Sequence, residues 1–184
     1  MDLSGSLLIA MPGMADPRFE RSLVLICAHS AEGAMGLVVN KPLSDLSFAG
    51  MLDQLGIPRA PNGRDIHLHL GGPMERARGF VLHSPDYTSV GATMVVAGRF
   101  GMTATIDILE ALAQGQGPSH ALMALGYSGW GPGQLESELQ RNDWLTAEAP
   151  PDLVFSDDDQ GKWGSMLRHM GIDPISLSPA AGRA

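Results

Sequence analysis

Short apolar runs separated by turn-forming residues recur along the whole chain. Runs of this length, bounded by Gly, Pro, Asn or Asp, are typical of buried strands interrupted by tight turns. The pattern predicts eight strands, at residues 6–11, 22–28, 35–39, 66–70, 79–82, 93–97, 121–125 and 153–155.

Four segments between or after these runs have helical periodicity. The first carries an i, i+3, i+4, i+7 apolar stripe at Phe48, Met51, Leu52 and Leu55, and the last repeats it at Trp163, Met166, Leu167 and Met170. The others are predicted from about residue 103, with Ile106, Leu109 and Leu112 facing inward, and from residue 134 to about 142. We interpret the acidic residues 157–159 as stabilising the start of the last helix through its dipole. Strands and helices do not alternate strictly, so the order favours an α+β fold on a curved mixed sheet.

Composition and charge narrow the class of protein. The 184 residues suit one domain, and the formal net charge of −8 without any basic run opposes direct binding to nucleic acid. No apolar run approaches the roughly 18 residues that a membrane helix needs. The single cysteine, Cys27, lies in an apolar run and predicts a reduced, buried thiol. With no signal-peptide pattern at the start, we expect a cytoplasmic protein, and no motif indicates a cofactor.

The densest cluster of glycines, at residues 126–134, is the first candidate site, and we predict it to be a loop between a strand and a helix. Ser128 resembles the serine of a G-x-S-x-G nucleophile elbow, but the last glycine is replaced by Trp130. A serine nucleophile also needs a base, for which His29, His83 and His120 are the candidates. Two alternatives remain: the glycines let the chain turn around Trp130, or they bind an anion at the helix start near Gly129 and Gln134.

Three smaller motifs are further candidates. The turn Gly71-Gly72-Pro73 precedes Arg76 and Arg78, a pair that either clamps a carboxylate or phosphate or is solvated. The motif Asn40-Lys41-Pro42 ends a strand and is most simply a turn. His67 and His69 lie on one face of a strand, but without a third ligand nearby we expect a solvent-facing strand rather than a metal site.

Several blocks of sequence, taken together, resemble the YqgE/AlgH family of bacterial proteins. The resemblance rests on Met11-Pro12 through Asn40-Lys41-Pro42, on Gly71-Gly72-Pro73 with Gly79 to His83, on Gly126-Tyr127 through Asn142-Asp143-Trp144-Leu145, and on Leu153, Phe155 and Trp163. It implies a single domain over residues 1–175, with a mostly antiparallel mixed sheet curling into a barrel-like core and about four helices around it. Residues 176–184 are then a loose tail. The resemblance implies little about function, since the family is largely uncharacterised and one branch is named a transcriptional regulator.

The leading hypothesis is therefore a non-enzymatic, cytoplasmic binding or regulatory module with a protein or small-molecule partner. Its ligand surface would comprise three turns, at residues 40–42, 71–78 and 126–134, with Asn40, Lys41, Gly71, Gly72, Arg76, Gly129, Trp130 and Gln134 as candidate contacts. The alternative is a hydrolase or transferase of a phosphorylated or acylated small molecule, using Ser128, His83 and Arg76. In the leading hypothesis, regulation would act through the protein or small-molecule partner, and not by direct contact with DNA.

Overall fold

The computed structural model describes residues 1–177, and the nine strands in this range form one mixed sheet. The strands are β1 (Ser6–Ala10), β2 (Leu23–Ser30), β3 (Gly33–Val38), β4 (Leu68–Leu70), β5 (Met74–His83), β6 (Thr93–Val96), β7 (Phe100–Thr103), β8 (Ala121–Trp130) and β9 (Trp144–Glu148). Their order is β6-β7-β5-β8-β3-β2-β1-β9, with β4 also paired to β8. Only the β4–β8 pair is parallel among these ladders.

Strand β8 is the centre of the sheet and the place where the sheet curves. One edge of β8 pairs with β5, and its other edge pairs first with β4 at residues 123–125 and then with β3 at residues 128–130. Between Met74 and Gly79 the register of β5 shifts against β8, opposite Gly126 with its φ of +77°. Such irregularities increase strand bend and twist, and the sheet curls into a half-barrel.

Two apolar layers follow from the alternation of side chains along the strands. In β1, Leu7 and Ile9 belong to one core cluster, whereas Leu8 and Ala10 belong to another. The first cluster fills the concave side of the sheet. It is completed by residues of two helices, α4 (Pro151–Val154) and α5 (Lys162–His169).

The convex side is covered by the other three helices. Helix α1 (Phe48–Leu55), capped by the Ser47 hydroxyl, and helix α2 (Ile106–Ala113) pack on β4, β5 and β8. Helix α3 (Gln134–Gln140) packs with Trp130 and Trp144 over β1, β2 and β3. A short 3₁₀ helix, Pro174–Leu177, follows α5.

Arg99, in the turn between β6 and β7, connects the two ends of the curled sheet. Its guanidinium donates hydrogen bonds of 2.9 Å to the carbonyl oxygens of Gly5 and Ala149, and lies 3.0 Å from a carboxylate oxygen of Glu148. These contacts join the β6–β7 edge to the region of β1 and β9 by a side chain instead of a strand ladder.

The predicted α+β fold, with its curled mixed sheet, is confirmed. The periodic stripes are helical as predicted, in α1 (Phe48–Leu55) and in α5 (Lys162–His169), with Met170 of the second stripe as the C-cap of α5. The prediction of a strand at 153–155 is wrong, because Pro150 and Pro151 begin the short helix α4 there. The sequence pattern does not predict strands β7 and β9, and α4 brings the α-helices within residues 1–177 to five rather than four. Of the predicted tail, residues 178–184 lie outside the described range.

Candidate functional site

The glycine-rich segment 126–134 is for the most part not a loop, which corrects the sequence prediction. Strand β8 continues through it to Trp130, and α3 begins at Gln134. Close contacts between chain segments explain Gly126 and Gly129, but not Gly131 or Gly133: a Cβ atom at Gly126 would lie 2.6 Å from the carbonyl oxygen of Gly72, and one at Gly129 would lie 2.7 Å from the Met74 sulfur. A Cβ at Gly71 or Gly72 would likewise overlap the backbone of β8. These glycines therefore allow backbones to approach each other.

Ser128 and His83 are not brought together. Ser128 is buried, and its hydroxyl donates a 3.3 Å hydrogen bond to the carbonyl oxygen of Gly71. His83 pairs with Ala121, seven residues away along β8, which at about 3.3 Å per residue corresponds to roughly 20 Å. The imidazole of His83 instead contacts the Thr103 hydroxyl at 2.8 Å, and burial lowers the pKa of His83.

The other candidates near β8 also have structural contacts. Trp130 is buried edge-to-face against Trp144, with ring centroids 6.3 Å apart. The Gln134 side chain accepts a 3.0 Å hydrogen bond from the amide of Gly131. Arg76 is exposed in the irregular part of β5. Trp130 pairs with Ala34 near the start of β3, at the opposite end from Asn40, so Trp130 itself lies away from the Asn40-Lys41-Pro42 turn. The Gly71 turn adjoins that motif, because the amide of Leu70 donates a 2.8 Å hydrogen bond to the carbonyl oxygen of Lys41.

One of the predicted motifs, Asn40-Lys41-Pro42, does line a large cavity. This cavity, here named the Lys41 cavity, has a volume of about 1050 Å³. It lies between the end of β3 and the first turns of α5. Its lining includes the predicted Asn40 and Lys41 together with residues that the sequence did not indicate, among them Arg21, Asp159, Gly161, Trp163, Gly164 and Arg168.

Asn40 stabilises the wall of this cavity through the hydrogen bonds of its side chain. Its side-chain oxygen accepts a 2.9 Å hydrogen bond from the amide of Leu23, and its side-chain nitrogen donates one of 2.8 Å to the carbonyl of Arg21. The Lys41 ammonium donates a 2.5 Å hydrogen bond to the carbonyl oxygen of Glu20. Asn40 thus connects the segment before β2 to the turn that carries Lys41.

A fully buried array of ionisable groups lies behind the turn. The Asp159 carboxylate contacts the His69 Nε2 atom at 3.0 Å and the Lys162 ammonium at 2.7 Å. Lys162 also donates a 2.8 Å hydrogen bond to the carbonyl oxygen of Val39. The side chains of His69, Asp159 and Lys162 are 2%, 7% and 1% exposed. The array therefore ties α5 to the ends of β3 and β4.

The pKa values of these groups show how burial and pairing compete. Burial alone raises the pKa of Asp159, but hydrogen bonds from His69 and Lys162 and the positive charge of Lys162 outweigh it, so the pKa is lowered. Burial lowers the pKa of Lys162, and Asp159 opposes that shift. At the cavity surface, burial lowers the pKa of Lys41; the nearby Glu20 opposes this shift and Arg21 adds to it.

The prediction that His67 and His69 lie on a solvent-facing strand is wrong for His69, which is buried. His67 remains exposed, 3.4 Å from Asp157. The assignment of residues 157–159 to the dipole of the last helix is likewise incomplete, because Asp159 is a buried partner of Lys162. The missed signal is the i, i+3 spacing of Asp159 and Lys162 beside the apolar stripe of α5. Within residues 1–177, no group of three or more His, Cys, Asp or Glu residues is arranged to hold a metal ion.

None of the helices in the described part of the chain is long and apolar enough to cross a membrane.

Comparisons with known proteins agree over almost the whole chain. A family model for AlgH-like proteins matches residues 7–175. A UPF0301 protein from Cereibacter sphaeroides is 84% identical over 184 residues, covering all of both chains. Another from Ruegeria pomeroyi is 56% identical over 191 residues, again covering both chains fully.

Solved structures extend the agreement to the fold. The solution structure of the AlgH protein from Pseudomonas aeruginosa has a TM-score of 0.79 and 39% identity, covering 96% of this chain and 93% of the other. A crystal structure of a protein from Corynebacterium diphtheriae has a TM-score of 0.74 at 24% identity, covering 95% of this chain and 91% of the other, and supports the fold alone. The chain therefore belongs to the AlgH-like family.

Proposed function

We propose that the protein is a non-enzymatic binding module that holds a small anionic ligand in the Lys41 cavity. The observation that carries the proposal is the lining of this cavity by three cationic side chains, Arg21, Lys41 and Arg168, in a chain whose net charge is −8. Basic side chains that converge on a concave surface are the usual means of recognising carboxylates and phosphates.

The carboxylates near the cavity do not cancel this preference. Asp159 is neutralised by the ammonium of Lys162 at 2.7 Å. Glu20 also lines the cavity and is exposed, as are Arg21 and Arg168, so the exposed charged side chains of the lining are two cations and one carboxylate. Solvent screens all three alike, which leaves the positive charge in excess.

The start of α5 supplies a second feature that favours an anion. Gly161, Trp163 and Gly164 line the cavity at the first turn of this helix. The amide of Gly161 donates a 3.1 Å hydrogen bond to Asp158 Oδ1, whereas within residues 1–177 no side chain accepts from the amides of Trp163 and Gly164. Free amides and the helix dipole at such a terminus favour negative charge, with an effect of about 0.3–1 kcal/mol. The effect of the helix start adds to that of the cationic side chains and is not sufficient by itself to bind an anion.

Of the predicted ligand residues, Lys41 serves this proposal as a direct contact and Asn40 as the residue that holds its turn. A ligand role for Gly71, Gly72, Arg76, Gly129, Trp130 or Gln134 stays a prediction. In a cytoplasmic regulatory module, ligand occupancy would change contacts with a protein partner. The net charge of −8, without any run of basic residues, favours this route over direct contact with DNA.

The test is a titration with inorganic phosphate, followed by the amide resonances of Gly161 and Gly164. We expect saturable shifts at these two glycines, weakened at least about tenfold in a Lys41→Gln, Arg168→Gln double variant, because two cation–anion contacts are lost. The matched control is Arg59→Gln, which removes an exposed arginine on another part of the surface. Equal affinity of all three proteins, or shifts spread evenly over the molecule, would refute the proposal.

A further inference from the structure

The hydrogen bonds of Asp159 define the ligand class of the Lys41 cavity more narrowly. The side chain of Asp159 is only 7% exposed, and Asp159 is one of the residues that line the cavity. Its Oδ1 atom lies 2.7 Å from the Lys162 ammonium and 3.0 Å from His69 Nε2. Among the contacts of residues 1–177, its Oδ2 atom has a single partner, the same His69 nitrogen at 3.0 Å.

One acceptor position of this carboxylate is therefore unused. An ionised carboxylate offers about four lone-pair positions. The one proton of His69 Nε2 is shared between both oxygens, and Lys162 uses one further position. A buried acceptor that borders a polar cavity is best satisfied by a donor that enters the cavity.

We infer that the ligand carries an uncharged hydroxyl donor beside its anionic group, so that the site selects hydroxylated phosphates or carboxylates. This inference rests on the proposed function, because it places the anionic group against Lys41, Arg21 and Arg168. The hydroxyl then donates to Asp159 Oδ2.

Charge decides between a hydroxyl and an ammonium group as the donor. Lys162 already compensates the charge of Asp159, so a second cation at this position has no unpaired negative partner in the array. It would also lie in the same cavity as Arg21, Lys41 and Arg168, and like charges repel strongly where water is partly excluded. A neutral hydroxyl satisfies Oδ2 without either cost.

The experiment compares two probes that share a phosphate group and a three-carbon chain. Glycerol 3-phosphate carries two hydroxyls, whereas n-propyl phosphate carries none. We expect calorimetric titration of the native protein to give at least about tenfold tighter binding of glycerol 3-phosphate, since a hydrogen bond to a charged acceptor contributes at least that factor. Ethanolamine phosphate, which offers an ammonium donor, should bind no better than n-propyl phosphate.

The outcomes separate this inference from the proposed function. Equal affinities of glycerol 3-phosphate and n-propyl phosphate overturn the inference, while binding of both leaves the proposed function intact. Failure of every phosphate probe to bind refutes both. Tighter binding of ethanolamine phosphate than of glycerol 3-phosphate also overturns the choice of a neutral donor.

A variant locates the effect. In Asp159→Ala, if circular dichroism shows that it folds, the preference for glycerol 3-phosphate should fall to about twofold or less. The control Asp157→Ala removes a neighbouring exposed carboxylate that does not line the cavity, and it should retain the preference. Because the comparison of probes on the native protein needs no variant, the inference is tested even if Asp159→Ala does not fold.

Discussion

Replacement of Lys162 by methionine tests the energetic role of the buried array. The ammonium of Lys162 donates to Asp159 at 2.7 Å and to the carbonyl of Val39 at 2.8 Å, and its side chain is only 1% exposed. Methionine retains most of the apolar length, so the substitution removes mainly charge and hydrogen bonds. It leaves Asp159 buried with His69 as its only partner among these residues.

Breaking a buried ion pair by removing one partner costs about 3–5 kcal/mol of unfolding free energy. For a domain of this size, each kcal/mol corresponds to about 2–4 °C in melting temperature. The expected loss is therefore on the order of 10 °C, measured by urea and thermal denaturation under circular dichroism. The matched control Lys41→Met, on the partly exposed side of the same turn, should change the unfolding free energy by less than about 1 kcal/mol.

Two further measurements distinguish an unpaired charge from lost packing. In Lys162→Met, Asp159→Asn, the uncompensated carboxylate is gone, so we expect at least about half of the lost stability to return. The second measurement is pH dependence. The lowered pKa of Asp159 contributes stability to the native protein that is present above its unfolded pKa and disappears as pH falls below about 4. The difference between native protein and Lys162→Met should therefore narrow in acid. A loss below about 1 kcal/mol at neutral pH, or no recovery in the double variant, would refute this account.

Three other predictions concern the sheet and its core. Gly126→Ala should lower the free energy of unfolding by more than about 3 kcal/mol, because it combines a positive φ with a Cβ that lies 2.6 Å from a carbonyl oxygen. Gly133→Ala, with a φ of +74° in open space, should lower it by about 1 kcal/mol. Equal stabilities of the two variants on urea denaturation would contradict the close-approach explanation. Arg99→Met should lower the unfolding free energy by about 2 kcal/mol, because two hydrogen bonds from a charged donor are lost. The control Arg141→Met, at an exposed arginine, should lower it by less than about 0.5 kcal/mol. Similar values for both variants would show that Arg99 does not connect the ends of the sheet. Burial raises the pKa of the Cys27 thiol to about 12. The stability that the buried thiol contributes is therefore fully present below the unfolded pKa near 8.5 and falls by about 1.4 kcal/mol per pH unit above it. This contribution to the slope should be absent in Cys27→Ala, and an unchanged slope would contradict the assignment of a buried thiol.

Periodicity was sufficient for the elements whose packing is simple. The i, i+3, i+4 stripes of α1 and α5 each bury one face, and the structure has helices at both places. The run at 153–155 failed because three apolar residues do not distinguish a strand from a helical turn, and Pro151 decides for the helix. Strand β9, at a sheet edge, was not recognised because it lacks a continuous apolar run.

The glycine-rich segment shows why a site is harder to predict than a fold. Gly71 and Gly126 meet across the β4–β8 pairing, although 55 positions separate them in the sequence. A single sequence shows that glycines are concentrated there, but it does not show whether a ligand or another backbone approaches them. The structure places another backbone at both positions.

The Lys41 cavity was only partly predictable for the same reason. Asn40 and Lys41 were identified from their place at the end of a strand. The other cations, Arg21 and Arg168, come from distant segments that only the packing of α5 against β3 brings together. The burial of Asp159 and Lys162 was also hidden, because charged side chains at the start of a helix are usually exposed.

The most direct test of the central claim, anion binding in the Lys41 cavity, is the phosphate titration followed at the amides of Gly161 and Gly164. Saturable shifts at both, absent at the distant Gly133 and weakened at least about tenfold by loss of Lys41 and Arg168, are the predicted result. Unchanged resonances at Gly161 and Gly164 at phosphate concentrations up to about 100 mM, which corresponds to a binding free energy weaker than about −1.4 kcal/mol, would contradict it.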